Sequence, residues 1–183
     1  MEDILSFDFF ILDSIQQSMR CDFLDSVAAA IGFLTTSGII WILLGVVLLF
    51  FRKTRAAGII LLSALLVGFL TGDVLLKHLV NRPRPFVVNT NVVLAIKPPT
   101  TASFPSTHST LAAAATTVLL AKAKPIGFVA LAATIIIAFS RMYLYVHYPT
   151  DVFCGLLLGT AIGLLMLWIA KKVKLENRLN GKS

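Results

Sequence analysis

Three short stretches hold the residues best suited to nucleophilic and acid–base chemistry. Lys77 stands seven positions before Arg84-Pro85, Pro105-Ser106-Thr107-His108 follows, and Ser140-Arg141 precedes His147 by six positions, with Asp151 four further on. A lysine, two arginines, two histidines and a carboxylate in an apolar chain require an anionic partner to be tolerated. Phosphate fits them best. Arginines offer planar bidentate donors and lysine a compact third charge. A helix starting at Pro105-Ser106 would add free backbone N–H groups, the positive dipole end and the Ser106 hydroxyl. Phosphoryl transfer asks little of a protein beyond charge neutralisation, a nucleophile and an acid. Asp151, near His147 in sequence, could accept one ring N–H and leave the other nitrogen free to attack phosphorus. His108 could then protonate the departing oxygen. The three cations make a metal unnecessary, and the sequence has no carboxylate cluster to hold one.

Singly, each residue has a plainer account. Lys77 at a helix end can snorkel, His147 can sit among interfacial aromatics, His108 can be a satisfied histidine at a helix start, and Asp151 can complement a helix dipole. Asp73, one turn before Lys77, either tunes that lysine through an i,i+4 pair or is structural. Their joint occurrence, in type and spacing, favours chemistry over these separate accounts.

The elements that must position these residues are membrane helices. Of 183 residues, 57% are hydrophobic and 14% charged, and the mean hydropathy is +0.88. That composition excludes a disordered chain and an ordinary soluble domain. One domain covering 1–183 is expected, an all-α bundle of five or six membrane helices. The spanning stretches are 24–51, with a kink at Thr35-Thr36-Ser37-Gly38, then 57–77, 106–121, 125–141 and 150–170. Residues 1–20 carry Asp8, Asp13, Gln16 and Gln17 and read as an interfacial helix rather than a sixth span. The opening Met1-Glu2-Asp3 lacks the basic region of a cleaved leader, so this segment is expected to stay. Cys21 and Cys154 give neither a disulfide framework nor metal-ligand spacing.

The formal charge of +7 raises nucleic acid as a partner, but placing the charges removes it. Alternating helices gather Arg52, Lys53, Arg55, Lys122, Lys124 and the basic tail of 171–183 (Lys171, Lys172, Lys174, Arg178, Lys182) on one side. These are ten of the sixteen basic residues. The positive-inside rule makes that side cytoplasmic, and the three chemical stretches then face outward. Arg82 is expected to meet lipid headgroups, and Tyr143, Tyr145 and Tyr148 to form an aromatic belt at headgroup level.

The stretches KHLVNRPRP (Lys77 to Pro85), PSTH (Pro105 to His108) and SRMYLYVHYPTD (Ser140 to Asp151) resemble the three signature motifs of the type 2 phosphatidic acid phosphatase superfamily, in residue type and in spacing. The resemblance implies a metal-independent lipid phosphate phosphatase with no cofactor. His147 would be the nucleophile that becomes phosphohistidine, Asp151 its orienting partner and His108 the proton donor. Lys77, Arg84, Ser106, Thr107 and Arg141 would cradle the phosphate. Thr107 departs from the glycine usual in that motif and crowds the cradle. The substrate implied is a membrane lipid phosphate, foremost undecaprenyl diphosphate at the outer face of the plasma membrane, with phosphatidylglycerophosphate and phosphatidic acid as competitors. A lipid phosphotransferase and a non-catalytic lipid-phosphate transporter are the rivals; no inverted repeat supports the second. The oligomeric state is left open by the residues.

Overall fold

A computed structural model describes residues 2–179, and Lys182 of the basic tail lies outside them. The chain begins with α1 (Glu2–Met19). The first long apolar stretch is broken as its Thr-Thr-Ser-Gly run implies, into α2 (Asp22–Leu34), a single 3₁₀ turn (Thr36–Gly38) and α3 (Ile39–Phe50). Ser37 and Gly38 take φ of 50° and 73° in the break, and the Thr35 hydroxyl bonds back to the Ile31 carbonyl at 2.6 Å.

α4 (Arg55–Phe69) runs into a π-helical segment (Leu70–Leu76) and the short α5 (Lys77–Val80). Wider π turns shift the phase of a helix and often accompany functional sites; this one carries Asp73 and delivers Lys77. Asn81 ends α5 in the left-handed region, with φ of 45°, a conformation that asparagine tolerates better than most residues. Arg82-Pro83-Arg84 then leads into α6 (Pro85–Val88). A long connection reaches α7 (Thr107–Lys122), and α8 (Lys124–Tyr143), α9 (Pro149–Lys172) and α10 (Leu175–Leu179) complete the bundle.

α7 is the axis of the molecule. Leu111, Ala112 to Ala115, Val118 and Leu119 are all buried, packed on Leu61, Ala64 and Leu65 of α4 and Ile162 of α9. The small residues permit a close approach: a Cβ added to Gly159 of α9 would stand 2.0 Å from the Thr110 carbonyl oxygen of α7. Backbones that meet this closely make up in packing for the weak hydrophobic drive between helices in lipid.

Large apolar side chains point the other way. Phe33, Phe50 and Val129 are 70–79% exposed, as suits an outer face made for hydrocarbon. Four stretches, 22–50, 55–88, 124–143 and 149–172, are long and apolar enough to cross a bilayer. The fifth expected stretch forms α7, shorter at 16 residues and enclosed by the other helices. α1, whose expected place is the interface, lies along the α8–α9 connection, with Leu12 and Asp8 fully buried.

The two ends of the bundle differ. At one, Arg52, Lys53 and Lys122 line an open cavity of about 350 Å³ with Glu176. At the other, the end of α5 and the starts of α7 and α9 converge with the end of α8.

Candidate active site

Three of the residues gathered there are buried cations. Lys77, Arg84 and Arg141 are 7%, 5% and 3% exposed. Lys77 pairs with Asp73 four residues earlier. Arg84 meets backbone carbonyls instead: Thr101 at 2.7 Å from Nε and Val146 at 2.8 Å from Nη1. Arg141 bonds the neighbouring Ser140 hydroxyl at 2.9 Å and the Ala28 carbonyl of α2 at 3.3 Å. No carboxylate lies within ion-pair distance of Arg84 or Arg141 among the described residues. Burying a charge without a counter-charge is costly, and two such guanidinium groups side by side leave a position for an anion.

His147, also buried, adjoins them. Arg84 Nη1 lies 3.3 Å from His147 Nε2. Arginine has only donors, so Nε2 presents its lone pair and the ring proton sits on Nδ1. Nδ1 faces Asp151 Oδ2 at 3.6 Å, too long for a hydrogen bond but positioned to become one on a small movement, as catalytic contacts often do in unliganded sites. Burial first, then the neighbouring Arg84 and Lys77 charges, pushes the His147 pKa down to about 4 against the opposing pull of Asp151. The ring is therefore neutral near pH 7, the state in which an imidazole has a lone pair to offer.

His108, in the first turn of α7, lies within electrostatic reach of Arg141, His147 and Lys77, with the Gly32 carbonyl beside its ring. His108 Nε2 and His147 Nδ1 are the two buried side-chain nitrogen or oxygen atoms without a hydrogen-bond partner among the described residues. Buried polar atoms are nearly always paired; two unpaired imidazole nitrogens beside unpaired arginines mark one site.

Asp151 is fully buried and held from several directions. Its Oδ2 accepts from the Ser103 hydroxyl and from the Tyr148 N–H at 3.0 Å, and its carbonyl accepts from the Ser106 N–H at 3.2 Å. Ser106 caps α7, its Oγ accepting from the Ser109 hydroxyl at 2.9 Å. Thr107 turns its hydroxyl to Asp73 Oδ1 at 2.6 Å, so this bulkier residue is drawn to the Asp73–Lys77 pair. Lys77, Arg84, Ser106, Thr107, His108, Arg141, His147 and Asp151, with Asp73, thus gather at one end of the bundle.

Two expectations are corrected. Arg82 does not face lipid headgroups: its guanidinium bonds Asp151 Oδ1 at 2.6 Å and Asp8 Oδ2 at 2.7 Å and lies 3.8 Å from the centre of the Tyr148 ring. Two buried carboxylates outbid water for it. The three tyrosines form no exposed belt either; all are at most 3% exposed. The Tyr143 hydroxyl donates to Asp25 at 2.8 Å and that of Tyr145 to Asp13 at 2.6 Å, because the acids of α1 and α2 need donors. Burial and the Asp13 carboxylate together push the Tyr145 pKa up.

Sequence reasoning also missed Asp8, Ser103, Thr101 and Gly32. A Cβ on Gly32 would fall 2.8 Å from Arg141 Nη2, so with any other residue there the guanidinium would have to shift from its present place under α2. A carboxylate in the middle of an apolar helix was the available signal for Asp8, since such a group needs a cation.

Comparison with known proteins agrees with this geometry. A sequence profile described as the PAP2 superfamily matches residues 54–175. The chain is 35% identical over 132 residues to an undecaprenyl-diphosphatase of Sulfolobus acidocaldarius, covering 71% of this chain and 63% of that protein. It is also 35% identical over 109 residues to the undecaprenyl-diphosphatase BcrC of Bacillus subtilis, covering 60% of this chain and 53% of the other. The match therefore spans less than two thirds of the length of either relative. A transmembrane PAP2-type phosphatidylglycerolphosphate phosphatase from Bacillus subtilis superposes with a TM-score of 0.76 at 25% identity, covering 94% of this chain and 89% of that one. The apolar helices and these relatives make this a multi-pass membrane protein. With the profile running over more than half of its length and through all three site stretches, the chain belongs to the PAP2 superfamily.

Proposed function

We propose that this protein is a phosphatase acting on a lipid phosphate through a phosphohistidine intermediate. The observation that carries the reading is the pairing of two buried, unpartnered imidazole nitrogens with two buried arginines that have no carboxylate at ion-pair distance among the described residues. The terminal phosphate would sit against Arg84, Arg141 and Lys77, with the first N–H groups of α7 completing the cradle. His147 Nε2 attacks phosphorus with its lone pair, the P–O bond to the lipid breaks, and His108, carried as the imidazolium beside the bound anionic phosphate, gives a proton to the departing oxygen. Asp151 holds the Nδ1 proton and offsets the positive charge that the ring gains. Water then attacks the phosphorus, His108 takes back a proton, and the P–N electron pair returns to Nε2. Phosphate leaves and the site is restored. The cations serve the role that a metal fills elsewhere.

Undecaprenyl diphosphate is the substrate favoured, supported by the undecaprenyl-diphosphatase relatives. The structural likeness to a phosphatidylglycerolphosphate phosphatase supports a second reading, with phosphatidylglycerophosphate in its place. The site end would face outward and the basic end the cytoplasm, with α1 at the interface.

The test is side-by-side turnover on undecaprenyl diphosphate, phosphatidylglycerophosphate and phosphatidic acid, in detergent with EDTA. Phosphate release that vanadate inhibits, with an acid-labile phosphohistidine trapped in one turnover, is expected. No release from any lipid, or release without phosphohistidine, would overturn the reading.

A further inference from the structure

Arg82 and Asp8 are not among the residues that would touch the phosphate, yet both are tied into the site. Asp8 is fully buried, although it lies on α1 outside residues 54–175. Its Oδ2 accepts from Arg82 Nη2 at 2.7 Å and from the Thr150 hydroxyl at 2.6 Å, and its Oδ1 from the Thr150 N–H at 3.0 Å. Arg82 Nη1 spans to Asp151 Oδ1 at 2.6 Å and to the Thr150 hydroxyl at 2.8 Å. Asp151 presents its other oxygen toward His147. A continuous row of charges, Asp8⁻, Arg82⁺, Asp151⁻, therefore ends at the imidazole.

We propose that Asp8 and Arg82 are positioning residues that hold Asp151 against His147 and set how strongly it supports the charged ring. This rests on the phosphohistidine reading above. Arg82 alone would draw the Asp151 charge toward itself and weaken its hold on Nδ1–H. Asp8 takes up half of that guanidinium, and the row keeps one net negative charge for the ring that becomes cationic on attack. The planar fork, with one prong on each carboxylate, also ties Asp151 to Asp8 in a fixed geometry, which a flexible ammonium would not do. The Thr150 contacts and the Tyr148 ring keep the fork in plane.

The charged and titratable groups facing His147 are Asp151 from α9, Arg84 before α6, Lys77 from α5 and His108 from α7. Only the first of these is joined to the row. Asp8→Asn keeps the shape and removes one negative charge, so the acid limb of the kcat/KM profile should move to lower pH. Arg82→Gln removes the cation, and the limb should move to higher pH. The double variant restores the original net charge and should return the limb toward the wild-type position. Each single variant should lose about 10- to 100-fold in kcat, the usual range for groups that orient a catalytic ligand, with KM within about twofold because neither side chain meets the lipid.

Size-exclusion and thermal unfolding in detergent identify folded variants. Should Arg82→Gln fail to fold, Arg82→Lys keeps the charge but cannot span both carboxylates, and its kcat should fall while the acid limb stays in place. Unshifted limbs in folded Asp8→Asn and Arg82→Gln, or wild-type kcat in Arg82→Lys, would overturn the inference alone. A wild-type enzyme that forms no phosphohistidine would overturn the underlying reading, and the inference with it.

Discussion

Both ends of this bundle are rich in cations, and they differ in what surrounds them. At one end Arg52, Lys53 and Lys122 face an open cavity, and Lys122 has a carboxylate, Glu176, at 2.5 Å. At the other, Arg84 and Arg141 are inside the protein with no carboxylate at ion-pair distance among the described residues, and there two imidazole nitrogens beside them are unpartnered. Water screens the first set, so those charges cost little and mean little beyond topology. The second set is buried, and Asp151 and Asp73 act on Arg84 only from beyond ion-pair distance, so a dianion would be favoured there. Counting basic residues would favour the wrong end; burial and missing partners identify the site.

If the two ends differ in this way, substitutions at each should have very unequal effects. The largest effect is expected for His147→Ala, which removes the proposed nucleophile. Turnover should fall on the order of 10⁴-fold or more, as for single deletions in other covalent sites, while size-exclusion behaviour stays that of the wild type. Arg84→Met should cost on the order of 10²- to 10³-fold in kcat/KM, the range for losing one charge-stabilising donor. It should also abolish the thermal stabilisation that vanadate or inorganic phosphate gives the wild type; at about 100 times Kd that is about 2.7 kcal/mol.

Gly32→Ala would press a methyl group on the Arg141 guanidinium without changing a single charged residue. A displacement near 1 Å can cost on the order of 10²-fold, so a kcat loss of about 10-fold or more is expected. Wild-type kcat in this variant would show that Arg141 has room to move. Lys122→Ala, at the other end, should leave kcat within about twofold and stability within about 0.5 kcal/mol. A larger loss would mean that the exposed cations also matter to catalysis.

The pH dependence follows from His147. In the proposed role it must be neutral to attack, and its pKa lies near 4 rather than at the ordinary 6.5. Activity should therefore persist below pH 6 and fall as pH drops toward 4, measured as kcat/KM in detergent. The unfolded chain binds this proton at 6.5 and the folded one only near 4. The neutral buried ring thus leaves stability undiminished above 6.5 and lets it drain away as pH falls from there to 4. Thermal unfolding across that interval would show the loss.

Much of this was legible from residue order. Apolar runs ending at prolines and basic turns marked the helices, and the Thr-Thr-Ser-Gly run marked the break between α2 and α3. Alternating direction sent residues 77–84, 105–108 and 140–151 to a common end, since each lies at a helix terminus. Arg82 and the tyrosines were misjudged because a one-dimensional pattern counts polar groups but does not pair them. The carboxylates of Asp8, Asp13 and Asp25 come from a segment more than fifty positions away from those partners.

Residue order alone was enough for the helices, their alternation and the chemical types assembled at one end, because hydrophobic length, helix-breaking residues and charge are local properties. Which cations have a carboxylate at ion-pair distance among the described residues, how closely α2 passes Arg141 at Gly32, and how α1 reaches the support of Asp151 came from the packed bundle. Burial and pairing are properties of the space between segments, set when helices distant in the chain pack together.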